Sequence, residues 1–444
     1  MLGLEVESVQ DRVKDLSDFI VGYVEEAQQH PNADRLKLCV VDIGAEKVQV
    51  VCGAPNARAG IKGVFAPPGA IIPSSGDILK KGVIRGEESN GMLCSEREMG
   101  ISDEHEGIIE LDPSAEIGAS YATLAGLDDP VIDIAITPDR ADCLGVRGIA
   151  RDLAAAGLGT LKPLDTSPVK GTFKSPIKWQ VNLPDEEPAL AQYVVGRFFK
   201  GVKNVPSPKW LQGRLTAVGL RAISAVVDIT NYVMFDLNRP LHAYDADKIE
   251  KGIIIRNSKS GEEFTALDNK KYKLEKGMCV ISDNKGVLGL GGIIGGTRSG
   301  TEFDTKNILL ESAYFYPGSI RNTAKKLNLD TDAKFRFERG IDPLSIEYGL
   351  NKAARLIKEI CGGETSKIDV EKIETHKLKN ITFKPDLFEK IAGFKISIKE
   401  MLKILEDLGF KYKKEKKTFR LTIPSWRPDI SQEVDIVEEL VRIS

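Results

Sequence analysis

Phe19 to Asn56 reads FIVGYVEEAQQHPNADRLKLCVVDIGAEKVQVVCGAPN. Three short runs rich in β-branched residues are set apart by polar turns carrying Pro, Asn, Asp and Gly. That spacing marks consecutive short strands joined by tight connections. It continues through GIKGVFAPPGAII (60–72), KKGVIRG (80–86) and GMLCSEREMG (91–100), so the stretch to about Tyr121 is expected to be a small all-β barrel. Beyond it the pattern changes. VIDIAIT (131–137) reads as a strand, PDRADCLGV (138–146) as a turn and RGIARDLAAAGLG (147–159) as a helix. TLKPLDTSPVKGTFKSP (160–176), rich in Pro, Lys and Thr, is a linker.

From about 189 to 373 the chain reads as a mixed α/β unit. It has helices over SPKWLQGRLTAVGL (207–220) and IEYGLNKAARLIKEIC (346–361), and strands over KGIIIRN (251–257) and GMCVIS (277–282). A Lys-rich module follows, in which SIKEMLKILEDLGF (397–410) is an amphipathic helix. Ser397 and Glu400 fit a capping box at its start and Gly409 marks its end. Two further strands and a wing-like turn complete a small helix-plus-hairpin domain.

The composition agrees with several globular domains. A length of 444 residues is enough for about three, and 42% hydrophobic with 29% charged residues is not the balance of a disordered chain. The net charge of -3 neither requires nor excludes nucleic acid, because phosphate binding depends on clustering of Lys and Arg. Six cysteines without a CxxC pair indicate buried free thiols rather than zinc or disulfides. No apolar run reaches bilayer length and no signal-peptide pattern opens the sequence, so a cytoplasmic protein with no membrane association is expected.

HPNADRLKLCVVDIG (30–44), VVCGAPNARAG (50–60) and SNGMLCSERE (89–98) place Arg35, Lys37, Arg58 and Arg97 in polar turns beside strands. Basic loops over a strand face are what an OB-type barrel offers to RNA, and together the fragments resemble the tRNA-binding OB domain. Five more segments follow in order: DPVIDIAITPDRADCLGVRGIARDLAAAGLG (129–159), DITNYVMFDLNRPLHAYD (228–245), LGGIIGG (290–296), LLESAYFYPGSIRNTAKKLNLDTDAKFRFERGIDP (309–343) and PSWRPDISQEVDIVEELVRI (424–443). With them the chain resembles the β subunits of bacterial phenylalanine-tRNA ligases.

The resemblance implies an α+β multidomain fold. Residues 1–18 would be a remnant of the N-terminal domain, 19–124 an OB-fold tRNA-binding domain, 125–160 the remainder of the N-terminal domain and 161–187 a linker. A B3/B4-like editing domain would take 188–375 and a truncated, winged-helix-like B5-like domain 376–444, with the family's catalytic-like and anticodon-binding domains absent. The implied function is tRNA(Phe) binding, hydrolytic editing of tyrosine mischarged on it, and support of an α subunit that performs ATP-dependent aminoacylation in an α2β2 heterotetramer. A free-standing tRNA-binding module or a non-catalytic scaffold are the rivals.

Editing answers a physical limit: an apolar pocket rejects an isostere bearing one extra hydroxyl only about a hundredfold. Glu311 matches the family residue that recognises the tyrosine hydroxyl, and a carboxylate is a strong phenol acceptor. With phenylalanine bound it is expected to lose that partner, at about 1–3 kcal/mol. His242 matches the pocket histidine, with Asn231 and Pro240 beside it; alone it reads as a packed ring, and with the resemblance as an orienting or binding imidazole. Gly292 and Gly295 fit no phosphate loop but match the pocket lining, as do Thr331 and Ala333. Asn238, Arg239, Thr297 and Lys334 depart from the family text, so an altered pocket rim is expected.

Phe335-Arg336-Phe337-Glu338 fits an FRxE signature of synthetase ATP sites, but Arg336 and Glu338 are read as structural pairs. Asp435, Glu438 and Glu439 fall at i, i+3 and i+4 with Asp429 in the preceding turn. Unaided, they read as an acidic solvated face; the resemblance makes them ligands of Mg2+, which prefers oxygen donors.

Overall fold

A computed structural model describes residues 2–101, 104–127, 129–183, 190–372 and 376–444. Two compact units result, one of Val6–Ile134 with Thr216–Leu220, the other of Met1–Glu5, Ala135–Leu215 and Arg221–Ser444. The domain limits expected at 187–188 and at 375 lie outside the described residues.

In the first unit, strands β1 (Ile20–Gln29), β2 (Lys37–Asp42), β3 (Lys47–Cys52), β4 (Lys62–Ala66), β5 (Met92–Leu93) and β6 (Glu110–Leu111) form one antiparallel sheet. Its order is β3-β2-β1-β4-β5, with β6 also on β4. A register shift between Val24 and Glu26 bulges β1, the device that increases local twist and bends a strand toward closure. Val24, Val41, Val50 and Phe65 are fully buried in one cluster, and Val64, on the opposite face of β4, is fully buried in a second with Phe19, so both faces of β4 are covered.

The second unit begins with helix α1 (Val146–Ala155) and strands β7 (Trp179–Asn182) and β8 (Ala191–Lys200). Helix α2 (Ala225–Leu237) stops at Asn238, whose left-handed φ of 53° Asn tolerates, and whose amide donates to the Ala141 carbonyl at 2.7 Å. Pro240 then forbids a return to helix, and strand β9 (His242–Asp245) follows. After it come β10 (Ile253–Asn257), β11 (Cys279–Ser282), β12 (Val287–Leu290), the two-residue β13 (Ile294–Gly295) and β14 (Asn307–Phe315). Helices α3 (Pro317–Leu327), α4 (Asp332–Phe337) and α5 (Ser345–Ile360) follow, and a further helix, Lys209–Ala217, falls within the one expected over 207–220.

One sheet runs β9-β14-β8, with the short strands Glu364–Thr365 and Asp369–Lys372 also paired to β8, and the other runs β7-β10-β11-β12-β13. Trp179, Cys279 and Leu290 from the second join Val194, Tyr244, Leu309 and Phe315 from the first in a single core. LLESAYF, which gives no strand signal because a carboxylate interrupts its apolar run, lies in the central strand β14 and is buried except at Tyr314.

The last module packs a three-stranded sheet against helices α6 (Asp386–Ala392), α7 (Ile398–Asp407) and α8 (Glu433–Ile443). Ser397 caps α7 by accepting from the Glu400 backbone at 3.1 Å, and Gly409, at φ 94°, closes the turn beyond it. All six cysteines are free and buried. Among the described residues no helix is long and apolar enough to cross a membrane.

Candidate functional site

Glu311 sits midway along β14, between two ladders. His242 of β9 is its direct partner on one side and Gly196 of β8 on the other. Directly paired residues share a face, so His242, Glu311 and Gly196 form one row pointing between the two sheets. Tyr244, two residues from His242, shares that face. Its hydroxyl donates to Glu311 Oε2 at 2.5 Å, and its ring meets the imidazole edge-on with centroids 4.4 Å apart. Trp179 covers Gly196 so closely that a β-carbon there would lie 1.9 Å from Nε1.

Enclosure sets the charges. Glu311 is 4% exposed, and burial pushes its carboxyl up to about 7 although the Tyr244 hydrogen bond works to lower it. Burial also holds His242 down to about 4, so the imidazole is neutral in neutral solution. Tyr244 is raised, first by burial and then by the neighbouring Glu311 charge, and remains a phenol. Among the described residues, His242 Nε2 and Trp179 Nε1 are enclosed without a hydrogen-bond partner. Two orphaned polar atoms beside a buried carboxylate are an uncommon arrangement in a core, where such groups are almost always paired.

The glycine bend closes this space. A β-carbon on Gly295 would lie 2.4 Å from His242 Cε1 and 2.8 Å from Nε2, so only glycine lets the backbone approach the ring. Gly292, at φ 71°, turns the chain over Phe315, Ile320 and Phe337. Thr331 ties α4 to this bend: its hydroxyl donates to the Ile293 carbonyl at 2.8 Å and accepts from the Lys334 backbone at 3.1 Å. Ala333 packs on the core, Asn231 is half-buried in α2, and Pro240 is buried just before β9. A cleft of about 730 Å³, lined by Val146, Leu153, Leu161, Leu356 and others, lies elsewhere in the unit and includes none of these residues.

Three expectations need correction. First, Glu311 does not await a phenol unaccompanied, because Tyr244 already supplies one; a bound phenylalanine therefore leaves it partnered. Second, Arg239 is no part of a rim. It is fully buried and donates to Ser345 Oγ at 2.6 Å, to the Ala313 carbonyl at 2.7 Å and to the Asp342 carbonyl, which fastens the turn before β9 to the end of β14.

Third, the four acidic residues of the last module do not converge. Arg427 donates to Asp429 at 2.7 Å and, with Arg442, clamps Glu439; Asp435 caps α8 by accepting from the Ser431 and Gln432 backbones; Glu438 is exposed. Burial works to raise the Glu439 carboxyl, but the two guanidiniums hold it down to about 2. As arranged, three of the four carboxylates already accept from the chain's own N–H groups, and the set does not fit magnesium. The close trio Asp142, Cys143 and Asp152 is likewise filled, by Arg140, Arg151 and Arg442. Arg336 and Glu338 are paired as expected of structural residues, Arg336 with Asp332 and Glu338 with Lys334 and Arg339.

In the first unit the basic residues differ among themselves. Lys37 donates to the Pro55 and Ala57 carbonyls, and Arg58 makes a two-pronged contact with Glu110 at 2.8 Å for each prong. Arg35 and Arg97 are exposed.

Comparison with known proteins gives three family-model matches: a tRNA binding domain over residues 19–120, the B3/4 domain over 190–362 and the tRNA synthetase B5 domain over 381–444. The phenylalanine-tRNA ligase beta subunit of Paramagnetospirillum magneticum is 48% identical over 443 residues, and that of Cereibacter sphaeroides 49% over 450. In both cases the match takes in 100% of this chain and 55% of the relative, so the chain spans about half the length of the curated relatives it matches. An N-terminal fragment of the phenylalanyl-tRNA synthetase beta subunit from Pyrococcus horikoshii aligns at 17% identity and a TM-score of 0.38, over 70% of this chain and 86% of that one.

Proposed function

Since the chain belongs to the β-subunit family of phenylalanine-tRNA ligases, of whose members it spans about half, we propose that it binds tRNA(Phe) and hydrolyses tyrosine wrongly esterified to it. The observation that carries this reading is the enclosed Glu311 carboxylate standing opposite the His242 imidazole. A tyrosyl ring entering between the sheets brings its hydroxyl to a buried acceptor, an interaction no phenylalanyl ring can make. Water then adds to the ester carbonyl, the amino acid leaves as its acid, and the ribose hydroxyl is regenerated.

An imidazole whose pKa lies near 4 is a weak base at neutral pH. Its unpaired Nε2 suits it better to orienting the attacking water or the terminal ribose. Asn231, Pro240, Gly292, Gly295, Thr331 and Ala333 would shape the walls. Exposed Arg35 and Arg97 would meet tRNA phosphates, with Lys37 and Arg58 holding the turns they stand on.

On the same reading the chain works in the cytoplasm as an OB-fold, editing and winged-helix-like assembly beside an α subunit, in an α2β2 ligase whose ATP- and Mg2+-dependent step belongs to α. The test is deacylation of tyrosyl-tRNA(Phe) and phenylalanyl-tRNA(Phe) by the chain and by Glu311→Ala. Faster loss of tyrosine, with the preference abolished in Glu311→Ala, is expected. Binding of tRNA without hydrolysis would instead mark a free-standing tRNA-binding module, and neither activity a scaffold.

A further inference from the structure

The carboxylate that would receive a substrate phenol carries a phenol of the chain's own. Tyr244 is 1% exposed, and its hydroxyl holds Glu311 Oε2. A carboxylate offers about four acceptor positions, so one bond leaves Oε1 able to accept a second hydroxyl. We propose that Tyr244 is a specificity-determining residue behind Glu311: its hydroxyl fixes the carboxylate and leaves one oxygen to receive the phenol of a tyrosyl ester. The proposal rests on the hydrolytic reading above and deepens it.

The geometry makes Tyr244 a rigid support. Its backbone is paired with Leu309 across the β9-β14 ladder, and its ring abuts His242. One side chain thus positions both the carboxylate and the imidazole. The groups facing Glu311 are His242 and Tyr244 from its own sheet, and Cys279 and Trp179 from the facing one. His242 is neutral, burial pushes the Cys279 thiol up to about 12, and indole does not titrate. The hydrogen bond from Tyr244 is what favours the ionised form of Glu311 against burial.

Two consequences separate this from a merely structural role. Without the hydroxyl, Glu311 keeps its proton to higher pH than in the native chain, so preference for the tyrosyl ester falls and returns only as pH rises. A phenylalanyl ester, for its part, leaves Glu311 bonded to Tyr244. Selectivity therefore arises from a bond gained with tyrosine rather than one lost with phenylalanine.

The test measures hydrolysis of tyrosyl- and phenylalanyl-tRNA(Phe) from about pH 6 to 9 by the whole chain and by Tyr244→Phe, which keeps the ring and the fold. The expected result is a tyrosyl-to-phenylalanyl rate ratio lower by about ten- to a hundredfold at pH 7, recovering as pH rises. Infrared difference spectra against Glu311→Gln read the carboxyl protonation directly and need no turnover. In Tyr244→Phe the carboxylate band should emerge at higher pH than in the native chain. An unchanged ratio and an unchanged band overturn the inference while leaving hydrolytic editing intact. A native chain that hydrolyses neither ester overturns the editing reading and this inference with it.

Discussion

Glu311→Gln removes one ionisation from the core and keeps an oxygen for the Tyr244 hydroxyl. In the native chain burial lifts this carboxyl from 4.5 to about 7. A group whose pKa is higher folded than unfolded contributes stability that is whole below the unfolded value and is lost as pH rises through the folded one. At about 1.4 kcal/mol for each pH unit, the native chain should give up about 3 kcal/mol relative to Glu311→Gln between roughly pH 4 and pH 8. The side chain is enclosed, so solvent screening does not reduce that figure. His242 acts in the opposite sense: its contribution is whole above 6.5 and is lost as pH falls through about 4, and being present in both proteins it cancels in the difference. Urea unfolding followed by tryptophan fluorescence, to which Trp179 contributes from the same core, measures the gap at each pH. A gap that stays constant from pH 4 to 8 would show that Glu311 titrates like a solvated carboxyl, and the enclosure argument would be refuted.

Gly295→Ala has no backbone obstacle but drives a methyl into the imidazole, and should lower stability by about 1–3 kcal/mol. It should also abolish tyrosyl-ester hydrolysis while tRNA binding, read by filter retention, stays unchanged. Replacing both Arg35 and Arg97 by Gln should weaken tRNA binding and flatten its salt dependence by about one to two units of log-log slope. Arg58→Gln should do less, because Glu110 already neutralises it. Exchanging magnesium for a chelator should leave the melting temperature of the chain unmoved, since Arg427 and Arg442 already hold Asp429 and Glu439. A rise of several degrees with magnesium would show that the guanidiniums yield to the ion.

Local pattern made much of the architecture legible. Alternation with turn residues marked the strands from β1 to β5, and Ser397, Glu400 and Gly409 marked α7 closely. The pocket was another matter. His242, Glu311, Gly295 and Thr331 carry no shared local period; only the resemblance grouped them, and the fold sets His242 against both Glu311 and Gly295 while Thr331 bonds to Ile293 in the same bend. Tyr244 escaped notice because its partner is 67 residues away, and a tyrosine beside a histidine reads as packing. Trp179 was hidden for the same reason. The signal against the magnesium set was present but local: Arg427 lies two residues before Asp429 and Arg442 three after Glu439, placing a cation within reach of each carboxylate.

The bond from Arg442 to Asp152 joins residues 290 apart. At about 5–20 residues per second a ribosome delivers the second partner about 15–60 s after the first. During that interval Asp142 and Asp152 have only Arg140 and Arg151, from their own neighbourhood, as countercharges. Two guanidiniums already balance those two carboxylates, but Asp152 lacks the Arg442 contact that completes its network until α8 has emerged. Order of translation thus becomes order of completion at this network.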